Sequence, residues 1–121
     1  MNRLARHELA ERTFAARHVR PPARWVRAST TSPFDLLVLR PDSRGLGTIF
    51  VEIKTAQGRR SSDLSDAEVE FGRFAEDHGS PYVIARYRVV GGSVSAEQLF
   101  RPFATSETPP SDRELQFEVS K

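Results

Sequence analysis

The chain has 121 residues, of which 38% are hydrophobic and 28% charged, an ordinary composition for a single soluble domain able to bury a core. It contains no cysteine, which excludes disulfides, thiolate metal sites and cysteine nucleophiles. No apolar run approaches the roughly 20 residues that span a bilayer, and the Arg-rich start has no hydrophobic signal core, so the expectation is a cytoplasmic protein with no membrane partner.

Residues 3–18, rich in Ala, Leu, Glu and Arg, predict a helix, and Pro21-Pro22 forbids its continuation. Arg24 to Ala28 reads as a short strand, with Trp25 as a core or dimer contact. Residues 1–28 hold seven arginines (Arg3, Arg6, Arg12, Arg17, Arg20, Arg24, Arg27) against Glu8 and Glu11, a local net of 7 − 2 = +5. With +2 on the whole chain, the remainder is −3. Two readings stand: a face that meets phosphates, or a solvated arginine-rich helix.

Leu36 to Leu39 and Thr48 to Ile53 are strand-like runs of branched and aromatic residues, and Pro41 to Gly47 between them is turn chemistry. A hairpin folded about Ser43-Arg44 sets Asp35 opposite Glu52 and Leu37 opposite Phe50. Strand side chains alternate, so Glu52 and Lys54 share one face and Ile53 takes the other. Opposed residues have Cβ atoms about 5 Å apart. Two carboxylates at that separation repel unless a cation lies between them, and a hard ion such as Mg²⁺ or Mn²⁺ suits oxygen ligands. Of 18 Lys and Arg, only Lys54 and Lys121 are lysines. A compact ammonium whose pKa responds to burial can orient or activate water, which a guanidinium cannot match.

Gln57 to Asp63 is a polar loop with Gly58, Arg59 and Arg60. Ser65-Asp66-Ala67-Glu68 is a capping box opening a helix to about His78, with Leu64, Ala67, Phe71, Phe74 and Ala75 as its apolar stripe and Gly79 ending it. His78 fits a helix C-terminus, and the spacing of His7, His18 and His78 suggests no metal site or relay. Tyr82 to Val90 is a strand closed by Gly91-Gly92, with Arg86 and Arg88 on one face. Ser95 to Phe103 reads as a short helix or a turn, Thr105 to Asp112 as a loop and Leu115 to Val119 as an edge strand.

The order helix, strand, strand, strand, helix, strand, with Asp35 on the second strand and Glu52-Ile53-Lys54 on the third, resembles the PD-(D/E)XK nuclease superfamily. Pro33-Phe34-Asp35 stands for its "PD" half, with one residue inserted. The likeness is greatest to the C-terminal domain type named after the plant protein NO VEIN, through Phe34-Asp35-Leu36-Leu37, Val51-Glu52-Ile53-Lys54-Thr55, Leu64-Ser65-x-x-Glu68 and Tyr82 to Val89. Archaeal Holliday-junction resolvases and Mrr-type restriction nucleases are similar more distantly. It covers about residues 3–90 of what reads as one domain over 1–121, with 91–121 as an addition.

The resemblance implies an α/β fold with a mixed sheet flanked by helices, the αβββαβ core of restriction endonucleases. It implies a Mg²⁺- or Mn²⁺-dependent endonuclease acting on DNA, in defence, restriction or repair. Asp35 and Glu52 would hold the metal with the Ile53 carbonyl, and Lys54 would position or deprotonate the attacking water. A glutamate from the first helix would join them, Glu8 being preferred to Glu11. Gln57, Arg59 and Arg60 would meet the nucleic acid. A double-strand cut by so small a unit asks for a homodimer, and small members of the superfamily work beside a helicase or a methylase. The competing expectation is a nuclease-fold module that no longer cuts and serves as a binding subunit of a larger complex.

Overall fold

The computed structural model describes residues 1–56 and 64–104. The loop with Gln57, Arg59 and Arg60 and the expected strand at 115–119 lie outside the described residues. The elements are α1 (Arg3–His18), β1 (Arg24–Arg27), β2 (Leu36–Asp42), β3 (Gly45–Ala56), α2 (Asp66–Asp77), β4 (Tyr82–Val90) and β5 (Ser93–Phe100). The sheet runs β1-β2-β3-β4-β5 in space. Every neighbouring pair is antiparallel except β3 and β4, which are parallel, as a crossover through a helix permits.

The β2–β3 register pairs Leu36 with Val51, Leu37 with Phe50 and Asp42 with Gly45, leaving Ser43-Arg44 as the turn. The strands thus continue into residues expected to be loop, and only two residues turn. Asp42 Oδ1 accepts from the Arg44 N–H at 2.7 Å, and Gly45 takes a φ of 133° that a side chain would oppose.

The segment after Gly91-Gly92 corrects the expectation of a helix or turn, because it is the strand β5. Gly91 and Gly92 both have positive φ, 58° and 80°, the backbone of a two-residue hairpin turn that returns the chain against β4. A bulge lies opposite: Arg88 pairs with Ala96 but Val89 with Val94, so Ser95 is the extra residue. The bulge puts Val94 and Leu99, an odd number of residues apart, both against the core, and this broken alternation hides the strand in the sequence.

One helix packs on each face. On the α1 side, Ala10 and Phe14 meet Leu36, Val38, Ile49, Val51, Ile53, Val83, Ala85 and Tyr87, and Trp25 packs on this cluster. On the α2 side, Phe71 meets Phe34 and Phe50 with ring centroids 5.3 and 4.8 Å apart, and Tyr82 at 6.1 Å. The buried residues of α2 are Gly72 and Ala75, while Phe74, assigned to the apolar stripe, is 58% exposed and Ala67 is exposed too. The helix lies closer to the sheet at Gly72 than that stripe implies.

A Cβ at Gly72 would stand 2.5 Å from Phe103 Cε2 and 2.9 Å from Tyr82 Cδ2. Overpacking of this kind costs about 1–3 kcal/mol, against roughly 1 kcal/mol gained in helix propensity. Gly72→Ala is therefore expected to lower the midpoint of thermal or urea unfolding. A raised midpoint would mean that propensity outweighs the close approach.

Candidate active site

Asp35 immediately precedes β2, where its backbone N–H still donates to the Val51 carbonyl at 2.8 Å. Its side chain turns inward, and Oδ2 accepts from the Ile53 N–H at 2.7 Å. Continued one step past Leu36 and Val51, the register sets Asp35 opposite Glu52, and the two carboxyls act on one another electrostatically. Two residues on, along the same face of β3, Lys54 brings Nζ to 3.1 Å from Glu52 Oε2. The strand pattern groups these three side chains, and the fold brings them together.

The helices add acids and a histidine. Ser65 and Glu68 form the anticipated capping box, Glu68 N–H to Ser65 Oγ at 3.2 Å and Ser65 N–H to Glu68 Oε1 at 2.8 Å. The same Glu68 oxygen stands 3.5 Å from Lys54 Nζ, so a residue read only as a cap also faces the site. From α1 it is Glu11, not the preferred Glu8, that approaches Asp35. Glu11 is 3% exposed and salt-bridged to Arg27 Nε at 2.8 Å. His7, one helical turn before Glu11, places Nε2 3.4 Å from both Glu11 Oε2 and Asp35 Oδ1. Glu8 is one residue from His7 and so points about 100° away around the helix. The i, i+4 spacing of His7 and Glu11 is the sequence signal for this pair, and it joins a histidine to an acid rather than one histidine to another.

Arg3, His7, Asp35, Glu52, Ile53, Lys54, Thr55 and Glu68 line one cleft of about 310 Å³. Arg3, from the basic N-terminal third, thus lines the cleft with the acids. Arg27 and Arg17 are instead paired with Glu11 and Glu97, and Arg6 donates to the Met1 carbonyl at 2.9 Å. Arg86 lies over the Phe100 ring, 5.5 Å from its centroid, and donates to Gln98.

The charges are strained by their proximity. Burial, then the neighbouring carboxyls of Glu68 and Asp35, push the Glu52 carboxyl up to about 10, and Lys54 only partly opposes this. Burial would raise Asp35 as well, but hydrogen bonds from His7, the Ile53 amide and Glu52 hold it below the usual carboxylate range. Its hydrogen bond to Asp35 raises His7 above the ordinary imidazole value, against burial. Burial would lower Lys54, yet Glu52 and Glu68 hold it above the usual ammonium value. Glu68 is lowered, because its bonds to Glu52 and Ser65 outweigh burial. A cleft in which carboxyls crowd so closely that one is pushed well above its usual range is chemically suited to a divalent cation, which would relieve their repulsion. Among the described residues, His7, Glu11 and Asp35 offer three ligand atoms within 4.8 Å of one another.

The chain matches no protein-family model, and no curated protein matches it. Among solved structures it is similar to that of Archaeoglobus fulgidus Hjc, a Holliday junction resolvase from an archaeal hyperthermophile. Identity is 19%, the match covers 91% of this chain and 99% of that one, and the TM-score is 0.51. The expected mixed sheet with flanking helices is therefore the fold of this chain, extended by β5. No helix among the described residues is long and apolar enough to cross a membrane.

Glu52 provides a measurable consequence. Its folded-state pKa lies above the unfolded one, so between about 4.5 and 10 the folded chain holds a proton that the unfolded chain releases. Stability linked to that proton is full below the lower value and is lost as pH rises through the window, by at most about 1.4 kcal/mol per pH unit. Glu52→Gln removes the titration. In chelator-treated protein, its stability relative to wild type is expected to rise steadily from pH 5 to pH 9. A pH-independent difference in denaturant melts would show that Glu52 is already ionised.

Proposed function

We propose that this chain is a divalent-metal-dependent nuclease that hydrolyses phosphodiester bonds of DNA. The observation that supports it best is the meeting of Asp35, Glu52 and Lys54 in one cleft, on a fold shared with a Holliday junction resolvase. The sequence motifs favour the NO VEIN type within that fold. The whole of residues 1–121 serves as one nuclease domain.

Mg²⁺ or Mn²⁺ would be held by Asp35, Glu52 and the Ile53 carbonyl, with Glu11 now the helix glutamate in place of Glu8. Two carboxylates and a backbone carbonyl lining one cleft are the oxygen donors that a hard cation takes. When bound, the ion supplies Lewis-acid stabilisation of charge on the phosphate oxygens. The protein's own groups do the rest. The Ile53 amide fixes the Asp35 carboxylate, so the ligand oxygen needs no reorganisation. Lys54, braced by Glu52 and Glu68, remains an ammonium at neutral pH and orients the attacking water rather than taking its proton. Arg3 at the cleft rim meets the substrate phosphate. Gln57, Arg59 and Arg60 follow the site strand and extend the nucleic-acid contact. One cleft makes one nick, so cutting both strands calls for a homodimer. A helicase or methylase partner finds no support in the fold or the comparisons.

A plasmid-nicking assay with Mn²⁺ and Mg²⁺ tests this reading. Wild type is expected to nick. Asp35→Ala, Glu52→Ala and Lys54→Ala are each expected to lose about 10²-fold or more, in the range of a lost acid–base or positioning group. Their melting temperatures in chelator should show that all three remain folded. A folded wild type that retards DNA in a gel yet never nicks it would instead make the chain a binding module.

A further inference from the structure

Phosphodiester hydrolysis around a hard ion needs only oxygen ligands, yet an imidazole stands among the acids of this cleft. His7 Nε2 is 3.4 Å from Glu11 Oε2 and 3.4 Å from Asp35 Oδ1. Each carboxylate has its other oxygen committed elsewhere. Glu11 Oε1 accepts from Arg27 Nε at 2.8 Å, and Asp35 Oδ2 accepts from the Ile53 N–H at 2.7 Å. The two anchors therefore turn the other oxygen of each acid toward the same ring nitrogen. Glu11 is buried to 3% exposure and cannot swing out to water, while the His7 side chain is 33% exposed and remains open to an ion arriving through the cleft. Neighbouring ligands of an ion at about 2.1 Å lie roughly 3.0 Å apart in an octahedron and roughly 3.4 Å apart in a tetrahedron. The two nitrogen-to-oxygen spacings match these values, and all three ligand atoms lie within 4.8 Å of one another.

Building on the reading of this cleft as a metal centre, we propose that His7, Glu11 and Asp35 form a nitrogen-bearing site that takes a first-row transition divalent ion in preference to Mg²⁺. Imidazole is a good ligand for such ions, whereas Mg²⁺ favours carboxylate, carbonyl and water oxygens in a near-ideal octahedron. His7 and Glu11 stand one turn apart on a single helix, so α1 presents the nitrogen and one oxygen as a preformed pair. Asp35 belongs both to this group and to the Glu52–Lys54 group, so an ion bound through His7 adjoins the hydrolytic machinery.

The test is a metal titration of the full, metal-stripped chain, read by thermal unfolding, together with the visible absorption of bound Co²⁺. Wild type is expected to reach half-maximal stabilisation at Co²⁺ and Mn²⁺ concentrations at least tenfold below that for Mg²⁺, with a Co²⁺ spectrum showing nitrogen ligation. His7→Asp, which exchanges the nitrogen for oxygen, is expected to weaken Co²⁺ binding at least tenfold while Mg²⁺ binding holds or tightens. His7→Gln, which keeps a neutral polar side chain, is expected to lose the Co²⁺ preference without that gain. Equal wild-type affinity for Co²⁺ and Mg²⁺, or loss of both by the same factor in the two variants, would overturn the proposal and make His7 a hydrogen-bonding partner of the two carboxylates. That result would leave the nuclease reading intact. Absence of stabilisation by any of the three ions, with no nicking, would remove both.

Discussion

Asp35 has two oxygens with two different duties, and the architecture of the cleft follows from that division. One oxygen takes the Ile53 N–H of the neighbouring strand, and the other faces the His7 imidazole of α1. The first contact exists because β2 and β3 form a hairpin whose two-residue turn sets Asp35 opposite Glu52. The second exists because α1 lies on the sheet with Ala10 and Phe14 fully buried, which brings the nearby His7 and Glu11 to the start of β2. A carboxylate used in this way ties a helix and two strands to one point. An unpaired buried charge there would be costly, so its neighbours must also be polar.

The result is a concentration of acids that the chain only partly neutralises. Arg27 answers Glu11, and Lys54 answers Glu52 and Glu68, while His7 spans the gap between Glu11 and Asp35. The shortfall falls on Glu52, whose carboxyl is pushed up by burial and by the neighbouring Glu68 and Asp35 carboxyls. Such an arrangement contributes little to stability, since replacing buried charges with apolar groups is often neutral or better. Stability alone therefore gives no reason for this concentration of acids.

α2 contributes from the other face, and its position is held by contacts far from the cleft. Gly72 lets the helix approach Tyr82 and Phe103. Glu76 accepts from Arg101 at 3.0 and 2.6 Å and from the Tyr82 N–H at 3.1 Å, joining the helix to the segment after β5. The Tyr82 hydroxyl donates to the Pro33 carbonyl at 3.0 Å, two residues before Asp35. One residue of β4 therefore links the seat of α2 to the backbone that presents Asp35. On the α1 side, a separate network joins His18, Tyr87 and Glu97 across β4 and β5 at 2.9 and 2.6 Å. It pins β5, the strand that adds to the expected core.

What the sequence determined by itself was local in origin. Turn residues and alternation were enough to set Asp35 against Glu52 and to put Glu52 and Lys54 on one face, because a strand has period two and a hairpin has one register. Ser65 and Glu68 announced the start of α2 through a bond spanning only three residues. Tertiary structure decided what depended on distant segments meeting. Glu8 and Glu11 are equally acidic and equally helical, and only the docking of α1 against the sheet selects Glu11. His7 acquires chemical meaning only once Asp35, 28 residues away, is placed beside it. Glu68 serves both as a cap and as a neighbour of Lys54, and sequence spacing reveals only the first role. β5 was obscured by the bulge at Ser95, where the alternation that identifies a strand is interrupted. Periodicity reports the face a residue takes within its own element, whereas a site is made by the faces of several elements packed together.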